Sequence, residues 1–330
     1  ERAKKRTSST KGTVPPYGSK EYWEKRYRKH PAASSIVSTE SKVEEEKEDS
    51  DVVVEALPNH EWYFTYDELR PLMLPLLLGG REEAAKMLDI VEIEEEEESE
   101  NEIDEEENEN TTPPSSTSVP RFQGPATVLE VGCGDVPLGV GLAEELGKLQ
   151  ETTGYNANSV LKKLICCDYS ETVISILQNQ ERQESKITPE YQALDARNLP
   201  FANESIQLIL EKGTLDSMLS NDNNDTGVSD CSYCHKGYIL LVSHVNAHTK
   251  SGMNWLWQVV MTGLQQVEAG WEVEVHGHDE TDTNNNDTDL AAYDGPPSGS
   301  PGPAVYIIQK VPRREVDSEE EEVKISFFSY

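Results

Sequence analysis

The stretch Val128-Leu129-Glu130-Val131-Gly132-Cys133-Gly134-Asp135 carries the clearest chemical signal in the chain. An apolar run ends in a carboxylate, and two glycines then let the backbone turn tightly and approach a ligand closely. A dinucleotide fingerprint would need a third glycine where Pro137 stands, and no Gly-Lys-Ser/Thr follows to cradle a phosphate. Glu130 at the end of the run favours a cationic or hydroxyl-rich ligand over a pyrophosphate. Two more acids fall at corresponding places. Asp168 closes Ile165-Cys166-Cys167-Asp168, and Asp195 follows Tyr191-Gln192-Ala193-Leu194 and precedes Ala196. Asp168, at the carboxyl end of its strand, can accept hydrogen bonds from both hydroxyls of a ribose, and Asp195, at the end of the next, can meet an adenine amino group. Three such acids in succession outline an adenosine pocket.

S-adenosylmethionine fits this outline, because its sulfonium and amino groups are positive and it carries no phosphate. The elements that must position the three acids read as strands alternating with helices, the mark of a parallel sheet covered on both faces. Strands are predicted at Thr127–Val131, Leu161–Cys167, Tyr191–Leu194, Ile206–Leu210, Tyr238–Ser243, Trp271–His276 and Ala304–Gln309. Helices are predicted at Leu138–Leu149, Glu171–Gln180 and Trp255–Val267. The last two strands have no helix between them and suggest an antiparallel hairpin at the end of the sheet. Upstream, YGSKEYWEKRYRK sets Tyr22 with Arg26 and Trp23 with Tyr27 at helical spacing. HEWYFTYDELRPLMLPLLL reads as a second helix with Thr65 as its cap, and Arg81–Leu88 as a third.

The chain has 330 residues and a formal net charge of −33, with a pI near 4.5. That balance speaks against nucleic acid as a direct partner, since phosphates attract basic surfaces. Four stretches, 40–51, 92–109, 279–289 and 315–322, hold 31 of the 62 acids, so the remainder is nearly neutral. The organisation expected is a disordered basic tail at 1–16 and an N-terminal helical cap at 17–90, interrupted by an acidic linker at 31–58. A disordered acidic linker at 91–120 leads into an α/β domain at 121–311 with a disordered insert at about 277–303, and an acidic tail at 312–330 ends the chain. The longest apolar run, Leu72–Leu78, is far short of the roughly 20 residues of a membrane span. Five cysteines, an odd number, point to a reducing compartment, read here as the cytoplasm. Arg2, Lys4, Lys5 and Arg6 form a solvated tail or, as the sharper alternative, a nuclear signal.

Taken in order, these residues resemble the seven-strand methyltransferases, which implies a Rossmann-like sheet, mostly parallel, with an N-terminal helical extension and acidic inserts. More narrowly, Leu210-Glu211-Lys212-Gly213-Thr214-Leu215-Asp216-Ser217-Met218-Leu219, with YWEKRY and HEWYFTY, is similar to the methyltransferase-like enzymes that modify lysines of elongation factor 1-alpha. The resemblance covers 17–30, 59–78 and 125–310. It implies S-adenosylmethionine as cofactor, with contacts from Trp23, Tyr27, Trp62, Gly132, Asp168, Tyr169, Asp195, Ala196 and Lys212, beside Glu130 and Gly134 of the glycine loop. An aromatic face suits a sulfonium as it does other cations. The implied reaction is methylation of a protein lysine, with elongation factor 1-alpha as the implied substrate and partner. Glu211 and Asp216 flank the end of the fourth strand and are the candidates to line the mouth that receives the amine. The alternatives are a small-molecule methyltransferase and a cofactor-binding scaffold without activity.

Two features depart from the family pattern. Asp135 and Val136 stand where Asn and Ser are usual, and between Leu219 and Gly237, ahead of the fifth strand, only 17 residues without apolar periodicity, 220–236, take the place of a helix and a turn, so thin cover is expected on one face there. Within that connection Cys231-Ser232-Tyr233-Cys234-His235 matches a haem-attachment spacing, and His244 or His248 would be needed to make a zinc site of it. The default reading is a polar loop, and no metal is expected. Asp279–Asp289 lacks the register of a calcium loop.

Overall fold

The computed structural model describes residues 15–29, 61–80, 124–180, 187–220, 237–264, 269–278, 302–311 and 323–329. The readings made for 1–14, 31–58, Arg81–Leu88, 91–120, Cys231–His235, 279–301 and 312–322 lie outside the described residues.

Among the described residues, eight strands form one sheet in the order β3-β2-β1-β4-β5-β7-β6-β8. They are β1 (Ala126–Val131), β2 (Leu161–Asp168), β3 (Glu190–Ala193), β4 (Leu208–Lys212), β5 (Tyr238–Ser243), β6 (Gly270–His276), β7 (Ala304–Val311) and β8 (Val323–Phe328). The run from β3 to β5 is parallel throughout. Strand β7 then enters antiparallel between β5 and β6, so the expected hairpin is present with its second strand on the inside. The sheet has one strand more than expected. Strand β8, within the stretch read as an acidic tail, pairs parallel with β6 at the edge.

The helices are α1 (Lys20–Tyr27), α2 (Tyr66–Leu78), α3 (Leu138–Thr153), α4 (Glu171–Asn179), α5 (Thr214–Leu219) and α6 (Lys250–Trp255), the last continuing through a π-helical stretch, Leu256–Met261. Burial of alternate strand residues on opposite faces fixes three layers. Val128, Leu164, Leu208, Leu210, Leu240, Val242, Val305 and Ile307 face the leucine-rich sides of α2 and α3. Across the sheet, Leu241, Tyr306 and Ile308 pack with Leu256 and Met261, and Leu129, Val131, Ile165 and Cys167 with Leu199 and Ile206.

Thr65 caps α2 as the sequence predicts. Its hydroxyl accepts from the Glu68 amide, and its own amide donates to the Glu68 carboxylate at 2.7 Å, a capping box. Arg70 of α2 holds Glu145 of α3 at 3.0 Å. Helix α3, predicted over Leu138–Leu149, runs on to Thr153 before Gly154 ends it. Among the described residues no helix is long and apolar enough to cross a membrane.

Candidate functional site

Parallel pairing lines up the carboxyl ends of β2, β1, β4 and β5, and every predicted site residue of the α/β domain except the Asp195-Ala196 pair lies at or just beyond those ends. After β1, Gly132 and Gly134 take left-handed φ values of 63° and 60°, where a side chain is strained. A Cβ on Gly132 would also fall 1.9 Å from Thr214 Oγ1. That hydroxyl donates to the Val131 carbonyl at 3.0 Å and ties the glycine loop to the start of α5.

Asp168 is buried at the end of β2. It accepts from the Ser170 amide at 2.8 Å and the Gly134 amide at 3.2 Å, so it links the glycine loop to the N-terminus of α4. Burial pushes its pKa up to about 6 against the pull of those two bonds. Tyr169 beside it is partly buried against the aromatic cluster of α1.

Two of the three acids have roles the sequence reading did not assign. Glu130 is buried, and its two oxygens accept from the amides of Leu138 at 2.7 Å and Gly139 at 2.8 Å. It anchors the positive N-terminus of α3, a role that a strand-end acid eight residues upstream fills as well as ligand binding does. Asp195 lies two residues beyond β3, and Arg197 grips it through Nε at 2.9 Å and Nη2 at 2.7 Å. Neighbouring Ala196 packs with Leu199 and Phe201.

The N-terminal aromatic residues reach this edge from far along the chain. Glu24 accepts from the Glu171 amide at 2.9 Å and from the Thr172 hydroxyl, which docks α1 on the first turn of α4. Trp23 and Tyr27 stack with ring centroids 5.7 Å apart, and Trp62 packs against Trp23 at 6.0 Å. The Tyr27 hydroxyl lies 3.4 Å from where a Cβ on Gly134 would stand. Burial, then the nearby Asp168 and Asp135, hold this phenol firmly protonated.

Lys212, at the end of β4, donates to the Phe64 carbonyl at 2.9 Å and lies 3.5 Å from Glu61. It fastens the aromatic segment 61–64 to the sheet. Burial lowers its pKa, against the pull of Glu61 and Glu130.

Asp216 is surrounded by donors rather than open to a mouth. It accepts from Ser243 Oγ at 2.7 Å, the His244 amide at 2.9 Å, His244 Nδ1 at 3.0 Å and the Tyr63 hydroxyl at 2.7 Å. Burial would raise its pKa, but the bonds from His244 and Ser243 outweigh that and keep it below the usual carboxylate range. Glu211 is buried as well and bonds the Leu215 amide at 2.9 Å; burial and then Asp216 push it up to about 8. Neither acid lines an open entrance as the sequence suggested.

Tyr63, Ser243, Thr214 and Glu24 join the candidate site without having been singled out from the sequence, and His244, weighed there only as a zinc ligand, joins it as a partner of Asp216. Tyr63 offered a signal as the centre of HEWYFTY, and His244 as the residue just past a strand end. Among the described residues no group of three or more His, Cys, Asp or Glu side chains is placed to hold a metal ion.

The parallel β3-β2-β1-β4-β5 run with antiparallel β7 between β5 and β6 is the mostly parallel α/β sheet with a terminal antiparallel pair expected from the sequence, here with an added edge strand. The chain's sequence is similar to the eEF1A lysine and N-terminal methyltransferase of Danio rerio, 30% identical over 149 residues. That match takes in 45% of this chain and 19% of the relative, so the chain spans about a fifth of the length of the curated relative it matches. No family model matches. Similar solved structures include the YcgJ protein of Bacillus subtilis, with a TM-score of 0.31 and 12% identity over 58% of this chain and 93% of that one. A TehB-like SAM-dependent methyltransferase of Corynebacterium glutamicum gives 0.30 and 12%, covering 56% of this chain and 80% of the other. Phosphoethanolamine N-methyltransferase 1 of Haemonchus contortus, in complex with phosphoethanolamine and S-adenosylhomocysteine, gives 0.36 and 15%, covering 59% and 41%.

Proposed function

We propose that this chain is an S-adenosylmethionine-dependent methyltransferase acting on a lysine-bearing protein. The observation that carries the reading is Asp168, a buried strand-end carboxylate joined by hydrogen bonds to a glycine loop in left-handed conformation. A buried acid with a raised pKa gains most from a ligand that donates hydrogen bonds to its ionised form, and the two hydroxyls of a ribose do so. Gly132 and Gly134 keep side chains away from that ligand. Trp23, Tyr27 and Trp62 supply aromatic surface near the same edge, which suits a sulfonium.

When bound, the cofactor supplies an activated methyl group. The protein's part is to orient it, exclude water with the aromatic residues and deliver a neutral amine. A lysine begins with a pKa near 10.4, so the site must take its proton or shed its solvation. The protein-lysine substrate, with elongation factor 1-alpha as the first candidate, rests on the similarity to the Danio rerio relative, which is named for that substrate.

The test is incubation of the full chain with cofactor labelled in its methyl group and a cell lysate, with the products separated by size. Label on a protein band, recovered as methyl-lysine after hydrolysis, supports the reading. Label confined to low-mass products shows a small-molecule enzyme, and bound cofactor with no transfer shows a scaffold.

A further inference from the structure

We propose that His244, held by Asp216, is the base that takes the proton from the substrate amine. The proposal rests on the methyltransferase reading above.

His244 is the first residue after β5, and its Nδ1 lies 3.0 Å from Asp216 Oδ2. A carboxylate that already accepts from Ser243, the His244 amide and Tyr63 is a pure acceptor, so the Nδ1 facing it carries the hydrogen. In the neutral ring the free electron pair then belongs to Nε2. The pair is asymmetric in a useful way: the Asp216 side chain is 7% exposed and the His244 side chain 52%. One end is fixed in the protein, and the other is open to an incoming group.

Its position agrees with this use. Strands β1, β4 and β5 are parallel neighbours, so Val131, Lys212 and Ser243 end on one edge of the sheet. Thr214 joins the start of α5 to the glycine loop, and Asp216 lies two residues further on, in the first turn of that helix. Tyr63 binds Asp216 and packs against Trp62, which packs against Trp23. The dyad thus shares its supports with the glycine loop and the aromatic cluster.

The step balances without a further reactant. Nε2 takes a proton from the substrate ammonium, leaving a neutral amine and an imidazolium stabilised by Asp216. The amine's electron pair forms the bond to the methyl carbon as the carbon–sulfur bond breaks, and that bonding pair stays on sulfur. The imidazolium then gives its proton to water.

The charged group facing His244 is Asp216, on α5. Around that carboxylate stand the Tyr63 hydroxyl, from segment 61–64, and the Glu211 carboxyl, from β4. The Asp216 hydrogen bond raises the His244 pKa, and partial burial opposes it.

The test is kcat and KM for methyl transfer as a function of pH, with cofactor affinity by calorimetry, for wild type, His244→Gln, Asp216→Asn and Glu211→Gln. In wild type, kcat should fall on the acid side with a one-proton inflection displaced upward from that of an ordinary histidine. His244→Gln should lose about a hundredfold in kcat and lose the inflection. Its KM and cofactor affinity should stay within about twofold, and added imidazole should restore part of the rate. Asp216→Asn should move the inflection down, and Glu211→Gln should keep it, which excludes the buried carboxyl as its source. A His244→Gln enzyme with wild-type kcat and the same inflection overturns the dyad and leaves the methyltransferase reading standing. A wild-type protein that binds no cofactor, or transfers no methyl group to protein, overturns both.

Discussion

Burial raises Asp168 to a pKa of about 6, against 3.8 for an ordinary aspartate, and the direction fixes two consequences. With the folded pKa raised, the group's contribution to folding is most favourable below pH 3.8 and is lost as pH rises to about 6. A ligand that donates to the ionised carboxylate recovers that loss, so cofactor affinity should be flat above pH 7. Below the pKa it should weaken by up to about tenfold per pH unit, with Asp168→Asn showing no such slope; calorimetric titrations between pH 5 and 8 check this. This residue was legible because an acid closing an apolar run is a strong pattern. Glu130 shows the same pattern and binds a helix terminus instead, since one-letter spacing cannot separate a ligand hydroxyl from a backbone amide eight residues away. Tyr63 and His244 were less legible for another reason. Their bonds to Asp216 cross 153 and 28 positions, and only the folded sheet brings them together.

The glycine loop makes the sharpest prediction at the scale of elements. Gly132→Ala combines a left-handed backbone, at about 1–2 kcal/mol for an L-residue, with a Cβ that would press on Thr214. It should lower Tm by at least about 4 °C. Gly154→Ala, at a similar φ of 68° but with open space around it, should cost only the backbone part. The strand–helix alternation was readable from apolar runs alone, and so was the capping of α2. Strand β8 was overlooked although Val323, Ile325 and Phe327 alternate with Lys324 and Ser326 as a strand should. Six acids at 315–322 dominate the local composition and hide that period. Pairing with β6 and the stacking of Phe328 on His276, with centroids 4.7 Å apart, make the segment a strand.

Seen whole, the sheet separates chemistry from support. The predicted cofactor edge belongs to β2, β1, β4 and β5, whereas β7, β6 and β8 extend the other side. Removing residues 312–330 should therefore leave cofactor affinity within about twofold. Loss of about 2 kcal/mol of cross-strand packing should lower Tm by about 5 °C, as thermal unfolding would show. The net charge of −33 is a poor guide to chemistry, because half of the acids fall in four short stretches of the sequence and the remainder is nearly neutral. The central claim is that the edge binds S-adenosylmethionine through Asp168, and calorimetric titration of the full chain and of Asp168→Ala tests it most directly. Saturable one-to-one binding by the wild type, weakened at least tenfold in the variant, is the predicted result. A folded wild-type protein that binds no cofactor, or a variant that binds it equally well, would contradict the account.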